Sequence, residues 1–285
     1  MRLTSRHAPH IVSVVTDSAA LLAAYDDQLR TDAETPGALE VVIHGPLRLA
    51  IFPRGRGFVS YRDLRGSDGS PADAGSVRAL VAAAADHFRR QEDVVEVEWK
   101  TRGHDHAPGL HESLLEHGFE PEEPESIMVG LAASLDVDVA LPDGVTLRRV
   151  TSEPDVRAMS AAADEAFGDP VSPEHAVRLQ YRLERDPDME LWVAEADGRI
   201  VSSGRLEPVP GSDFAGVWGG STLPAWRGRG IYRALTAARA RSALARGKTL
   251  IHSDSTEYSR PILERYGLVK VSTTTPYAWR RTPAS

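Results

Sequence analysis

Apolar positions in the second half of the chain alternate between the period of a strand and the period of a helix. Runs of alternating apolar residues predict strands, and apolar residues three and four positions apart predict helices. The predicted elements are strand 145–150, helices 154–167 and 173–185, strands 191–196, 200–207 and 214–223, helix 229–246, strand 249–253, helix 258–265, and strands 268–271 and 276–280. Because strands and helices are interspersed, the pattern predicts an α/β (α+β) fold.

The first half of the chain repeats part of this order. Its predicted elements are strands 39–43, 47–52 and 57–62, helix 77–90, strand 94–99 and helix 110–117. LLEHGFEP at 114–121 and LERYGLVK at 263–270 both indicate a short helix, a glycine and an apolar strand, which hints at an internal duplication. Helical periodicity is lost over residues 131–144, which end in a Pro-Asp-Gly turn signal. We therefore predict two domains, 1–135 and 140–285.

Composition excludes several classes of protein. The 285 residues include no cysteine, which excludes disulfides, thiolate metal sites and a cysteine nucleophile. No run of about 18 apolar residues occurs, so no membrane-spanning helix is expected. His104-Asp-His106 matches no standard zinc spacing, and we expect no metal. Residues 1–15 lack the features of a secretory signal, so we expect a cytoplasmic protein.

Charge is distributed unevenly along the chain. The net charge of −8 argues against a general nucleic-acid binder. Residues 1–139 hold 13 basic and 23 acidic side chains, whereas residues 140–285 hold 20 and 18. Within the second half, residues 214–253 contain seven basic side chains and no acidic one. A solvated, arginine-rich helix face is one explanation, and a site for an anionic ligand is the other.

The segment Trp226-Arg-Gly-Arg-Gly-Ile-Tyr232 joins a predicted strand to a predicted helix. Its glycines allow successive backbone N–H groups to point into one concavity. The helix that follows adds its unsatisfied N–H groups and the positive end of its dipole. Arg227, Arg229 and Arg233 add positive charge and fork-shaped donors suited to phosphate. The segment therefore predicts a pyrophosphate site, and the alternative is a strand–helix turn with incidental arginines.

These residues resemble a motif of the GNAT superfamily of N-acetyltransferases, Arg/Gln-x-x-Gly-x-Gly/Ala. Arg227, Gly230 and Tyr232 stand at its three fixed positions, and Tyr232 departs from the pattern. The segment 221–224 resembles the family's strand end that pairs with the pantetheine arm of acetyl-coenzyme A. Residues 254–268 resemble the second motif, a short helix closed by Gly-Phe, where this chain has Gly-Leu. The resemblance covers the second half and implies two tandem GNAT-like modules, each a twisted mixed sheet flanked by helices.

The resemblance implies that the second module binds acetyl-coenzyme A as co-substrate and transfers the acetyl group directly to a small-molecule primary amine, without an acyl-enzyme. The residues it implies in coenzyme binding are Ser221, Thr222, Leu223, Arg227, Gly228, Arg229, Gly230, Ile231, Tyr232 and Arg233. Thr222 and Leu223 would offer backbone N–H groups to the thioester oxygen. Holding the thioester beside the amine would supply much of the rate enhancement.

The family's proton-transfer residues do not carry over to this chain. The strand before the arginine loop has no carboxylate for a base, and Leu263 stands where the family often has an acid tyrosine. Tyr258 and Asp254 are the catalytic candidates, since Tyr258 lies near a helix start and Asp254 follows a strand. A packing tyrosine and a helix-capping carboxylate are the alternative interpretations. His252 and Tyr266 are further candidates, and an enzyme that relies on solvent and positioning alone is another.

The first half resembles a degenerate module. Residues 63–76, where a pyrophosphate loop would stand, lack the motif and carry three aspartates, so we expect no coenzyme binding there. The letters RGRG recur at 54–57, but between two short strands, which predicts a hairpin turn. This half is expected to form a wall of the acceptor cleft, with lining candidates Leu21, Leu22, Tyr25, Trp99, Lys100 and the segment 167–190. Its excess of acid favours a cationic acceptor.

We therefore predict an acetyl-coenzyme A-dependent N-acetyltransferase that is a monomer or homodimer. A non-catalytic sensor that binds an acyl-coenzyme A is the first alternative, and it predicts binding without turnover. A nucleotide or sugar-phosphate module is the second, and it predicts that ligands of the ADP type stabilise the protein as well as acetyl-coenzyme A does.

Overall fold

The computed structural model describes residues 17–65 and 69–282, which form two β-sheets flanked by helices. The predictions for segment 1–15 and for part of the loop 63–76 concern residues outside this description. The elements of the first half are α1 Ser18–Gln28, β1 Glu40–His44, β2 Leu47–Phe52, β3 Arg56–Tyr61, α2 Ala74–Arg89, β4 Glu96–Lys100, α3 Leu110–Glu116, β5 Glu120–Pro121, β6 Glu125–Leu131 and α4 Ala132–Leu135. A 3₁₀ turn covers Asp32–Glu34.

The second half contains the same kinds of element in the predicted order. They are β7 Val145–Val150, α5 Glu153–Phe167, α6 Pro173–Arg185, β8 Glu190–Ala196, β9 Arg199–Pro208, β10 Phe214–Thr222, α7 Ile231–Ala245, β11 Leu250–Ser255, α8 Arg260–Arg265, β12 Val269–Thr274 and β13 Pro276–Arg280. A 3₁₀ turn at Pro224–Trp226 precedes α7. The predicted hairpin is confirmed, since Asp197 and Gly198 both have positive φ, as a two-residue turn of this type requires.

Each sheet contains one strand from the other half of the chain. β6 lies in the seven-stranded sheet between β12 and β11 and pairs antiparallel with both. β13 lies in the six-stranded sheet between β4 and β5. The sequence did not predict this exchange, because alternation identifies a strand but not the neighbours with which it pairs. The predicted segments 1–135 and 140–285 therefore do not coincide with the two sheets, because each sheet includes one strand from the other segment.

The seven-stranded sheet, order β12-β6-β11-β10-β9-β8-β7, is covered on both faces. On one face α7 packs against Ala215 and Val217 of β10, together with Leu263 of α8. On the other face lie α5 and α6, and also α1 from the first half, whose Leu21 and Tyr25 pack with Phe214. The predicted α/β class, with two sheets flanked by helices, is confirmed.

The six-stranded sheet has its own core. α2 and α3 pack against it around the fully buried Trp99. Its central strands β3 and β4 run parallel, as β10 and β11 do in the other sheet. In the described ranges no helix has the length and apolar character needed to cross a membrane.

Candidate active site

The strands β10 and β11 separate from each other partway along their length. They pair in parallel at only three positions, and the last pair is Gly216 with His252. β10 nevertheless continues to Thr222 and β11 to Ser255, each still paired with its outer neighbour, β9 or β6. A wedge therefore opens between the two facing edges, and among the described residues no strand pairs with either edge there, so an extended ligand can do so.

A bulge in β10 widens this wedge at its base. The register with β9 shifts between Trp218 and Ser221, and Gly219 takes a φ of +58°, which favours glycine. A side chain at Gly220 would meet the ring of Tyr232, 2.6 Å from its Cε2 atom. Tyr232, the residue that departs from the family motif, is thus accommodated because Gly220 leaves room for its ring.

The arginine loop lies at the end of β10, where the wedge is open. Gly228 and Gly230 have φ values of +72° and +80°, which turn the chain into α7. Gly230 is the N-cap residue and has no side chain that could accept from the first N–H groups of the helix. The N–H groups of Ile231 and the two residues after it therefore stay available at the positive end of the helix.

The three arginines of the loop have different surroundings. Arg227 donates to the backbone carbonyls of Thr222 at 3.0 Å and Ala166 at 2.6 Å, so its guanidinium holds the loop in place. Arg229 and Arg233 are exposed, and their guanidinium groups lie 4.9 Å and 5.0 Å from the ring centres of Trp226 and Tyr266. These stacking contacts leave their N–H groups facing solvent, where they can bind an anion.

The segment 221–223 is fixed by polar contacts with β9. The Ser221 hydroxyl shares a hydrogen bond of 2.8 Å with that of Ser203, and the Thr222 hydroxyl shares one of 2.8 Å with that of Ser202. The Leu223 N–H donates to the Val201 carbonyl at 2.9 Å. Of the two backbone donors predicted for the thioester oxygen, the one at Leu223 is therefore already engaged.

The face of the wedge turned away from α7 carries aromatic and titratable side chains. Because Ala215 and Val217 face α7, the alternating residues Gly216 and Trp218 face the other way, as does His252 opposite Gly216. The ring centre of Trp218 lies 5.1 Å from that of His252. Burial lowers the pKa of His252 to about 4, so its imidazole is neutral at pH 7.

Asp254 forms an ion pair with a residue of the first half. Its carboxylate is 8% exposed and its Oδ2 atom lies 2.5 Å from Nζ of Lys100. Burial raises the pKa of Asp254, but the Lys100 ammonium outweighs burial and leaves it below the ordinary value. The pKa of Lys100 is raised, since Asp254 likewise outweighs burial. Lys100 was predicted only to line the cleft, and the sequence gives no signal of a pair that spans 154 positions.

The other predicted proton-transfer groups lie apart from this pair. Tyr258 is 91% exposed, in the segment between β11 and α8. Leu263, at the family's tyrosine position, is buried in the core beside α7. Tyr266 is half-buried beneath Arg233. The structure therefore brings Asp254 and His252 together on one face of the wedge, and it leaves Tyr258 in solvent.

Two charged residues on this face, Glu207 and Arg205 of β9, were not predicted, whereas Arg182 of α6 belongs to the segment 167–190 that was predicted to line the cleft. Glu207 of β9 accepts from Nε of Arg205 at 3.0 Å and from Nη2 of Arg182 at 2.6 Å. Glu207 is opposite Gly216 in the sheet, and Arg205 is opposite Trp218. The alternation of β9 places both side chains away from α7, because the intervening Leu206 packs against that helix. Recognising them required the sheet register, which the sequence alone does not provide.

In the first half, the strand edge that corresponds to the wedge side of β10 is occupied by the side chain of Arg30. β3 and β4 pair in parallel up to Val59 and Trp99, beyond which Arg30 donates to the Tyr61 carbonyl at 3.0 Å. The Arg30 guanidinium also binds both carboxylate oxygens of Asp105, at 2.7 and 2.9 Å. A side chain thus occupies the strand edge that an extended ligand would need.

Comparison with known proteins supports the family resemblance. A sequence profile of the acetyltransferase (GNAT) family matches residues 156–268. A GCN5-related N-acetyltransferase from Kribbella flavida has a similar structure, with a TM-score of 0.63, 20% sequence identity, and coverage of 94% of this chain and 96% of that one. So does a tandem GNAT protein from the clavulanic acid biosynthesis pathway, with a TM-score of 0.59, 16% identity, and coverage of 94% and 97%. None of the curated protein sequences compared matches the chain.

A functionally unknown conserved protein from Staphylococcus epidermidis is also similar, with a TM-score of 0.64, 14% identity, and coverage of 88% of this chain and 98% of that one. The chain therefore has the fold of tandem GNAT proteins. Its second half contains an acetyltransferase domain of the GNAT family, as the arginine loop predicted.

Proposed function

We propose that the chain transfers the acetyl group of acetyl-coenzyme A to the primary amine of a small molecule. The observation that carries this proposal is the position of the arginine loop, residues 226–233, at the mouth of the wedge between β10 and β11. A coenzyme whose diphosphate binds the loop would extend its pantetheine arm along the free edge of β10. Its thioester would then reach the base of the wedge, beside Trp218 and Asp254.

The proposed reaction is a direct transfer. The amine nitrogen attacks the thioester carbonyl carbon, the C–S bond breaks, and coenzyme A leaves as a thiolate that takes up a proton while the amine loses one. Backbone N–H groups along the β10 edge, with Thr222 as the remaining predicted donor, would stabilise the developing oxyanion. Placing the two reactants together supplies most of the acceleration.

Asp254 and His252 are better suited to orienting the amine than to removing its proton as strong bases. An ion-paired carboxylate and an imidazole whose pKa is about 4 both bind protons weakly at pH 7. Water in the wedge would therefore carry the amine proton to solvent. Tyr258 stays a predicted acid, and its function requires that its exposed hydroxyl approach the sulfur.

Only the second half is proposed to bind the coenzyme. Arg30 on the Tyr61 carbonyl supports this, since it occupies the strand edge corresponding to the free edge of β10. The first half would complete the acceptor side instead, through Tyr25 and Lys100.

The test is release of free thiol from acetyl-coenzyme A with a panel of small primary amines. Turnover with at least one amine, and weaker stabilisation of the protein by ADP than by acetyl-coenzyme A, are the expected results. Tight coenzyme binding without turnover against the whole panel would favour the non-catalytic sensor. Equal stabilisation by ADP and by acetyl-coenzyme A would favour a nucleotide-binding module.

A further inference from the structure

Two arginines beside the wedge share a single carboxylate. Glu207 accepts from both Arg205 and Arg182, so the three side chains together carry one net positive charge. Arg205 uses only its Nε atom in this contact, and in the described part of the chain its two terminal nitrogens form no hydrogen bond. The group is therefore partly satisfied and can bind a further anion.

The cluster of Arg205, Arg182 and Glu207 lies at the base of the wedge, beside the bulge of β10. Nη1 of Arg205 is 2.9 Å from the position that a Cβ atom would take at Gly219, so the guanidinium covers the bulge of β10. Arg205 is also opposite Trp218 in the sheet register. Its side chain is 26% exposed and that of Arg182 is 46% exposed, so both can be reached by a small molecule.

On the other side of the wedge, β11 carries two side chains that can form a hydrogen bond with an amine. The Oδ1 atom of Asp254 and the Nε2 atom of His252 are buried, and neither has a hydrogen-bond partner among the described residues. Both side chains lie on the face that carries Trp218, because β11 alternates as β10 does. The ammonium of Lys100 balances the charge of Asp254, which favours hydrogen bonding to a neutral amine over binding of an ammonium ion.

We propose that the acceptor is a small amino acid, whose carboxylate binds Arg205 and Arg182 while its amine lies beside Asp254 and His252. This inference rests on the proposed function. One strand separates β9 from β11, which places their backbones roughly 10 Å apart. Because the side chains of Arg205 and Asp254 lie on the same face of the sheet, an amino acid would have to bridge a distance of this order. The groups at the site thus favour an acceptor with a carboxylate and a neutral amine, whereas the net charge of residues 1–139 favours a cation.

The test compares free amino acids with their amides in the thiol-release assay. For each pair the free acid should have the lower KM, by about ten- to a hundred-fold, the range of one charge-assisted hydrogen bond. Arg182→Met, at an exposed position, should raise the KM for the acid with little change in kcat and leave the KM for the amide unchanged. Arg199→Met is the matched control, since Arg199 is an exposed arginine bound to Glu165, away from the wedge.

Variants of Arg205 and Glu207 distinguish loss of carboxylate binding from loss of folding. Arg205→Lys should retain part of the preference for the acid that Arg205→Met loses. Glu207→Gln removes the competing negative charge and should lower the KM for the acid. Amides used as well as acids, or an unchanged KM in Arg182→Met, would overturn the inference while leaving acetyl transfer intact.

If no acceptor is turned over, the proposed function fails. Calorimetry of glycine and glycinamide with the coenzyme A complex then still decides whether the carboxylate is recognised. Binding of glycine alone would support the inference, and equal or absent binding of the two would overturn it.

Discussion

The ion pair between Lys100 and Asp254 predicts a strong energetic coupling between the two halves of the chain. The substitution Lys100→Met removes the ammonium and leaves a carboxylate that is 8% exposed without its partner. Removing one member of a buried pair typically destabilises a protein by about 3–5 kcal/mol. Asp254→Leu should have a similar effect, because it leaves the Lys100 ammonium, 18% exposed, without its carboxylate.

The double variant Lys100→Met/Asp254→Leu should be far more stable than the sum of the two changes predicts. Two apolar side chains of similar volume replace a buried pair at little or no cost, so the coupling energy should be about 3 kcal/mol or more. The assay is urea unfolding of all four proteins at pH 7, with the slope of the transition checked for each.

The control is a second cycle on Arg199 and Glu165, an exposed pair whose oxygens accept at 2.6 and 2.8 Å. Its coupling energy should stay below about 1 kcal/mol. If the Lys100 and Asp254 changes were additive, or no larger in effect than the control pair, the buried pair would not couple β4 to β11 and the reasoning would be wrong.

Two other predictions concern the wedge. Gly220→Ala should weaken coenzyme binding by about tenfold or more, because its Cβ would lie 2.6 Å from the Tyr232 ring. Adding Tyr232→Ala should restore affinity in the same titration, and failure of this rescue would show that the clash is not the cause. Because burial lowers the pKa of His252 to about 4 from an ordinary 6.5, the unfolded chain takes up a proton that the folded chain does not. The free energy of unfolding should therefore fall between pH 6.5 and 4, by up to about 3 kcal/mol. His252→Phe, surrounded by Phe214 and Trp218, should lose that part of the decline, and an unchanged pH profile would argue against burial of a neutral imidazole.

Local structure was predictable from the sequence where a single segment determines it. The limits of β7, α6 and β13 follow from apolar period and flanking breakers, and the turn at Asp197-Gly198 follows from its residue types. The arginine loop was predictable for the same reason, since glycines that must adopt positive φ and a following amphipathic helix are adjacent in the chain.

Features that depend on distant segments were not predictable. The exchange of β6 and β13 is set by which edges are free once both sheets form, and no local pattern encodes it. Lys100 and Asp254 each stand at or near a strand end, where charged residues are usually solvated, so only the three-dimensional structure reveals that they form a buried pair. Glu207 was missed because its role depends on the residues opposite it in the sheet.

Binding of acetyl-coenzyme A by calorimetry, with three proteins compared, tests the central claim that the loop 226–233 holds the coenzyme. Arg229→Glu/Arg233→Glu reverses two exposed charges at the N-terminus of α7 and should weaken binding by at least about a hundredfold. Arg54→Glu/Arg56→Glu makes the same reversal in the other RGRG segment, at the turn between β2 and β3, and should bind as the unmodified chain does. Equal affinity for all three proteins would contradict the assignment of the coenzyme to this loop.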